Sequence, residues 1–204
     1  MNRGPVLLHV SLRGAVSRLC TPRVEDAEKS FKLIADRREI LDWIEWAGPR
    51  DVVEMREKAR NWRVESDDAA NYQLAIFDAQ TSELVGALSL RFVDHPGRGD
   101  LGYWIGAEHQ GRGLASDAVG LAVWLAFDAL EAHSVSACVF VDNFASRRVL
   151  EKHGFELQAE GETVCGQRPR WNFLLASAAW SARASALRPL DFELSFSDDD
   201  LEAR

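Results

Sequence analysis

Short runs of alternating apolar and polar residues lie at both ends of the chain, with longer stretches of helical apolar spacing between them, a mixture that predicts an α/β protein. Val6 to Leu12 and Ala15 to Cys20 are β-like and separated at Arg13-Gly14. Thr21-Pro22 opens a helical region through Lys29 and Ile34, continuing to Trp43 and Trp46 before Gly48-Pro49 stops it. Asp51 is placed to cap a further helix, Val52 to Trp62. From Tyr72 the period changes: Tyr72 to Phe77 and Leu84 to Val93 flank the turn-like Gln80-Thr81-Ser82 and predict a hairpin. A Gly/Pro-rich link, His95 to Gly99, leads into Leu101 to Ile105, the third of three expected antiparallel strands.

Leu114 to Leu130 is apolar around most of its circumference, as expected for a helix buried on more than one side. Val135 to Val141 is a short unbroken apolar run, suited to a central strand joined in parallel to the preceding one through that helix. The Asn143 region can cap a helix that Gly154 ends, and Phe155 to Leu157 and Trp171 to Leu175 close the sheet around the polar Gly161 to Arg170 hairpin. Leu190, Phe192, Leu194 and Phe196 alternate with polar residues before an acidic end. That segment is open to three readings: an edge strand of its own sheet, a strand added to a second subunit, or a disordered tail.

A length of 204 residues with 47% hydrophobic content suits one globular domain. No apolar run reaches transmembrane length and no signal peptide is evident, so the expectation is a cytoplasmic protein with no membrane partner. The net charge of −8 argues against non-specific nucleic-acid binding and suits a cationic amine or basic peptide. Cys20, Cys138 and Cys165 form no CxxC pair and the five histidines no HExxH pair, so neither disulfides nor a metal is expected.

The most specific signal is Gln110-Gly111-Arg112-Gly113-Leu114-Ala115, between a strand and a long helix. Small residues there let several backbone N–H groups, Arg112 to Ala115, converge on one anion at a helix start. A P-loop would need Lys and Ser/Thr after Gly113, and a dinucleotide fingerprint needs three glycines at other offsets. Neither fits. The run resembles the pyrophosphate loop of the GNAT N-acetyltransferases, Gln/Arg-x-x-Gly-x-Gly/Ala. Asp100-Leu101-Gly102-Tyr103-Trp104-Ile105 resembles a strand of the branch that modifies ribosomal-protein N-termini (RimJ/RimL-like), and Asn143-Phe144-Ala145-Ser146 with Leu150 to Phe155 resembles the family's Asn-x-x-Ser helix ending in Gly-Phe.

The resemblance covers roughly residues 16 to 177. It implies a GNAT fold: a mixed, mostly antiparallel sheet with a splayed parallel pair, flanked by helices, in residues 15–177, with 1–14 an extension that can add a strand and 178–204 a tail. It implies acetyl-CoA as cosubstrate, without metal, and a primary amine as acceptor, either a protein N-terminus or a small amine. Cofactor-binding residues would be Ile105 through its main chain, Gln110, Gly111, Arg112, Gly113, Leu114, Ala115, Asn143 and Ser146. Asp100 is the candidate base and Ser146 the group that reaches the leaving sulfur, while His95 and His109 are alternative bases. Trp43, Trp46 and Glu45 are candidate acceptor contacts, the two tryptophans equally readable as core. One of Arg147 and Arg148 would approach the nucleotide phosphate. Many family members carry a general-acid Tyr later on the Asn-x-x-Ser helix, whereas this chain has only Tyr72 and Tyr103, neither of them there. That leaves a second reading, a catalytically weak acetyl-CoA-binding module acting on a partner through its tail. A homodimer is the expected assembly if the tail pairs between subunits.

Overall fold

The computed structural model describes residues 7–44, 46–66, 69–92, 97–161, 168–181 and 188–196. The strands are β1 (Leu7–Arg13), β2 (Ser17–Cys20), β3 (Arg63–Ser66), β4 (Ala69–Asp78), β5 (Leu84–Phe92), β6 (Arg98–Ile105), β7 (Ser134–Phe140), β8 (Glu156–Gly161), β9 (Arg170–Ala176) and β10 (Asp191–Phe196). The α-helices are α1 (Ala27–Ala35), α2 (Val52–Arg60), α3 (Leu114–Trp124), α4 (Phe144–Lys152) and α5 (Ser177–Ser181). One sheet runs in the order β10-β1-β2-β4-β5-β6-β7-β9-β8, with β3 pairing β4 beside β2. The β6–β7 pair is parallel and the rest antiparallel.

Alternation along β6 divides the molecule into two layers. Leu101 and Ile105 join Leu88, Leu90, Val135 and Val139 in the main core under α3, whose Ala118, Val119, Leu121 and Ala122 are buried. Trp104 points to the other face, where it packs with Ile34 of α1 and with Ile40. The buried circumference of α3 follows from its position between the sheet and α4.

Three local expectations change. The first long helix ends at Ala35, because Arg37 leaves helical geometry (φ −144°, ψ 65°), and a separate 3₁₀ turn, Arg38–Trp43, follows. The Leu114 to Leu130 helix is α-helical to Trp124 and then widens into a π turn, Leu125–Ala129, closed by the Leu130 N–H on Leu125 O at 3.0 Å. The short strand β3 and the single-turn α5 escape the periodicity because neither is long enough to show one. The C-terminal alternation resolves to the chain's own sheet: β10 pairs β1 from Arg13↔Asp191 to Leu7↔Phe196, and Phe192 covers Trp124 with ring centroids 5.0 Å apart.

A single carboxylate ties the start of α3 to the β1–β2 turn. Asp117 accepts from the N–H groups of Ala15 (3.2 Å), Val16 (2.9 Å) and Ser17 (2.7 Å) and from Ser17 Oγ (2.9 Å). Gly14 is needed beside it, since a Cβ there would lie 2.3 Å from Asp117 Oδ2. Asp117→Ala strands several backbone donors at once and is expected to cost about 2 to 4 kcal/mol, read as a lower midpoint in urea at unchanged slope.

Candidate active site

The site begins where a ladder stops. β6 pairs β5 from Phe92↔Gly99 to Gly86↔Ile105, and β7 pairs β9 from Ser134↔Ala176 to Phe140↔Arg170. Between themselves β6 and β7 pair only at Arg98↔Ser134, Gly99↔Val135 and Asp100↔Ser136. Beyond that point both strands continue without pairing each other, so backbone donors and acceptors face a gap in the middle of the sheet. The Gly106 N–H turns toward β5, donating to Val85 O at 2.8 Å. By antiparallel alternation the Ile105 N–H therefore faces the gap. The Ile105 carbonyl accepts from Gln110 Nε2 at 3.0 Å, so the Gln110 side chain anchors the strand end to the loop after it.

The gap opens into a cleft of about 1580 Å³, lined by the free lengths of β6 and β7, residues 110–111 and 113–116, and the start of α4. That exceeds the roughly 300 to 1,000 Å³ of a single-ligand pocket. At the end of β6, Gly111 (φ +74°) and Gly113 (φ +80°) both take the left-handed conformation, with no atom within 4 Å of a Cβ at Gly111. Conformation, rather than crowding, calls for glycine here. No side chain caps α3. The N–H groups of its first turn, which the helix cannot pair, lie with Leu114 and Ala115 on the cleft wall and carry the positive end of the helix dipole.

Arg112, expected to add its charge to this cradle, instead points its guanidinium at Asp78 in the β4–β5 turn, where Nη2 forms an ion pair with the nearly buried carboxylate. Asp78 also accepts from the N–H groups of Gln80 (2.8 Å) and Thr81 (3.1 Å). Those two backbone donors, followed by Arg112, hold its carboxyl below the usual carboxylate range. The turn character of Gln80-Thr81-Ser82 is visible in the sequence, but the pairing of Asp78 with Arg112, 34 residues away, is not. His109, an alternative base, is buried in the 3₁₀ turn Ala107–His109, with Nδ1 3.5 Å from Arg112 Nη1.

On the α3/α4 side, Asn143 caps α4 by accepting from the Ser146 N–H at 3.1 Å. The Ser146 hydroxyl lies 2.8 Å from the phenol oxygen of Tyr103. Tyr103, set aside because it is not on α4, reaches the start of that helix from β6. Burial pushes its phenol up to about 12. Of the two arginines, Arg147 pairs Glu151 (2.7 Å) and stacks on Trp171 (4.5 Å), while Arg148 lines the cleft.

On the α1/α2 side, Asp100 shares the face of Trp104. Its Oδ2 pairs with Arg91 Nη2 at 2.7 Å across β5–β6, and its Oδ1 accepts from Ser136 Oγ at 3.4 Å. Trp43 ends the 3₁₀ turn and Ile44 is extended, so Trp43 and Trp46 do not share a helical face as the spacing predicts. Both nonetheless line the cleft, Trp43 with 43% of its surface exposed and Trp46 packed partly into the Ile34–Trp104 cluster. Arg168 stacks on Phe140 (4.1 Å) and Trp43 (5.4 Å) and binds both carboxylate oxygens of Asp142 at 2.9 Å, joining the two walls at the end of β7. No sequence signal links these four residues. Glu45, His95 and Cys165 lie outside the described residues. Among the described residues no helix is long and apolar enough to cross a membrane, and no cluster of three or more His, Cys, Asp or Glu is placed to hold a metal ion.

The depressed carboxyl of Asp78 contributes stability above its unfolded pKa of about 3.9, and that contribution is lost as the pH falls through its lower folded value. Asp78→Asn is therefore expected to lower the thermal midpoint at pH 7, with the difference from wild type shrinking as the pH is brought below about 4. A difference independent of pH would show that the charge on Asp78 is not what matters.

Comparison with known proteins follows the same outline. Residues 18–156 match the family described as acetyltransferase (GNAT) domain. YjcK of Bacillus subtilis (strain 168), named as a probable N-acetyltransferase, is 30% identical over 152 residues, covering 71% of this chain and 82% of that protein. YdaF of the same organism, named as a putative ribosomal N-acetyltransferase, is 32% identical over 142 residues, covering 68% and 75%. Among solved structures, a GNAT-family acetyltransferase from Bacillus anthracis superposes with a TM-score of 0.70 at 14% identity, covering 82% of this chain and 99% of that one. Mycobacterium smegmatis RimJ, in complex with CoA-disulfide, superposes with a TM-score of 0.66 at 21% identity, covering 87% and 93%. A family match over more than half the length, two relatives at 30% identity or above and the same fold together show that the chain belongs to the GNAT acetyltransferases.

Proposed function

We propose that this acetyltransferase moves an acetyl group from acetyl-CoA to a primary amine, with a protein N-terminus as the favoured acceptor, by direct attack while both substrates are bound. The observation that carries this reading is the interrupted β6–β7 ladder ending beside an uncapped, glycine-rich helix start. An extended amide-bearing arm can pair with the free strand edge as a missing strand would, and the diphosphate next to it meets the N–H groups of Gly113 to Ala115. The ribosomal target in the name carried by YdaF supports a protein acceptor, and the net charge of −8 favours a basic one over nucleic acid.

The residues then divide the chemistry between the two faces of the sheet. The Ile105 N–H, facing the gap, stabilises the negative charge that develops on the thioester carbonyl oxygen. Ser146, held by its Asn143 cap, donates its hydroxyl to the sulfur on the α3/α4 side. Asp100, on the opposite face, receives the proton of the attacking nitrogen, and the Ser136 hydroxyl and Arg91 hold the carboxylate in place. A carboxylate is a weak base toward an ammonium, so a water relay or an already neutral amine completes that step. Trp43 and Trp46 belong to the acceptor wall. The tail reading is less favoured, since residues 191–196 are committed to the chain's own sheet.

Release of free thiol from acetyl-CoA, measured with peptides bearing N-terminal Ala or Ser, with spermidine and with an aminoglycoside, tests the acceptor. Peptides are expected to turn over fastest. Asp100→Asn should lower kcat by about 10²-fold with little change in CoA affinity, whereas Gly113→Trp should abolish calorimetric CoA binding. Wild-type rates from Asp100→Asn would remove that carboxylate from the mechanism.

A further inference from the structure

The pair formed by Tyr103 and Ser146 joins two elements across the mouth of the gap, β6 and the first turn of α4. Neither residue needs the other for packing. Tyr103 rests its ring against the main core, and Ser146 already has its backbone N–H satisfied by Asn143. Their oxygens nonetheless meet at 2.8 Å, with the Ser146 carbonyl 3.5 Å from the same phenol. A phenol is a stronger acid than an aliphatic hydroxyl, so Tyr103 is the better donor and the serine oxygen the better acceptor. With Tyr103 donating, the Ser146 proton is excluded from the line between the two oxygens and must point elsewhere.

We infer that Tyr103 is a positioning residue for acetyl transfer: its phenol donates to Ser146 Oγ and so directs and polarises the Ser146 hydroxyl toward the leaving sulfur. This rests on the reading of Ser146 given above. In the step it serves, the amine nitrogen bonds the carbonyl carbon and the C–S bond breaks with its electron pair passing to sulfur. The Ser146 O–H donates to that developing thiolate without being broken, and the proton shed by the nitrogen passes to Asp100 and from there, through solvent, to the thiol. No other reactant is required. The phenol's elevation to about 12 has a directional consequence: a group with a raised pKa stays protonated below that value, so the donor persists throughout the range in which amines become neutral. Tyr103 thus supplies from a strand the phenol that α4 lacks.

Two measurements test this on the intact chain. The first titrates the thiol of bound CoA by its ultraviolet thiolate absorbance. The hydroxyl pair favours the thiolate, so Tyr103→Phe and Ser146→Ala are each expected to raise the apparent pKa of that thiol by about one unit relative to wild type. The second measures turnover with the best acceptor among the probes above. Each single variant should lower kcat about tenfold or more with CoA affinity within twofold of wild type, and the double variant should be no slower than the slower single.

If Ser146→Ala moves neither the titration nor kcat, the Ser146 reading fails and this inference fails with it. If Ser146→Ala moves them and Tyr103→Phe does not, or if the two losses multiply in the double variant, only the inference is overturned. Loss of CoA affinity instead of kcat in Tyr103→Phe would make Tyr103 a plain wall of the gap, which also overturns it. Incorporation of 3,5-difluorotyrosine at position 103 keeps shape and hydroxyl but makes the phenol more acidic. An alkaline fall in kcat, absent from wild type, is then expected, and an unchanged profile would count against the proposal even if Tyr103→Phe folds poorly.

Discussion

The structure depends on one broken pairing. Two neighbouring strands in the middle of a sheet share a ladder for three residue pairs and then part, although each continues, fully paired, with its other neighbour. Backbone groups left open there are costly unless something polar meets them, so the gap is stable as a solvated cleft or around an extended chain with amides of its own. Much of the surrounding architecture keeps the strands apart without unravelling them. Gln110 closes the last carbonyl of β6, the Tyr103–Ser146 contact spans the mouth on one face, and the Arg168 stack on Phe140 and Trp43 spans the other wall.

Two buried or half-buried carboxylates do for the glycine-rich loop what the gap-spanning contacts do for the strands. Asp117 fixes the first turn of α3 to the β1–β2 turn, and Asp78 holds Arg112 from the β4–β5 turn. Neither faces the cleft. Together they tether a turn whose glycines have the most conformational freedom to lose. Arg112 thereby contributes structure first, and the positive field at the cradle comes chiefly from the helix end.

Separation of the two faces gives the cleft its chemical polarity. Asp100, Trp104 and the aromatic wall lie on the α1/α2 side, while Tyr103, Ser146 and the cradle lie toward α3 and α4, because residues one apart on a strand point in opposite directions. In the proposed transfer, a nitrogen losing a proton and a sulfur gaining negative charge are thus served from different sides of one strand.

Much of the frame was legible in the sequence. Period-two runs, the Gly-rich turn, the Asn143 cap and the apolar α3 are local signals, and local backbone preference is enough to place β5, β6, α3, β7 and α4 in order and to suggest the parallel crossover. The side chains that shape the site were not legible, because their partners are remote in sequence: Asp78 with Arg112, Asp117 with Ala15 to Ser17, Tyr103 with Ser146, Arg168 with Trp43 and Asp142. Nor was the fate of residues 191–196, whose alternation would serve any exposed edge equally well; only the folded sheet presents β1 beside them. By itself the sequence determined the order of most helices and strands and the position of the glycine turn, since those follow from spacing and from the freedom of glycine. Only tertiary structure decided where the strands part and which polar groups meet there, since both depend on contacts between segments that the chain brings together after it folds.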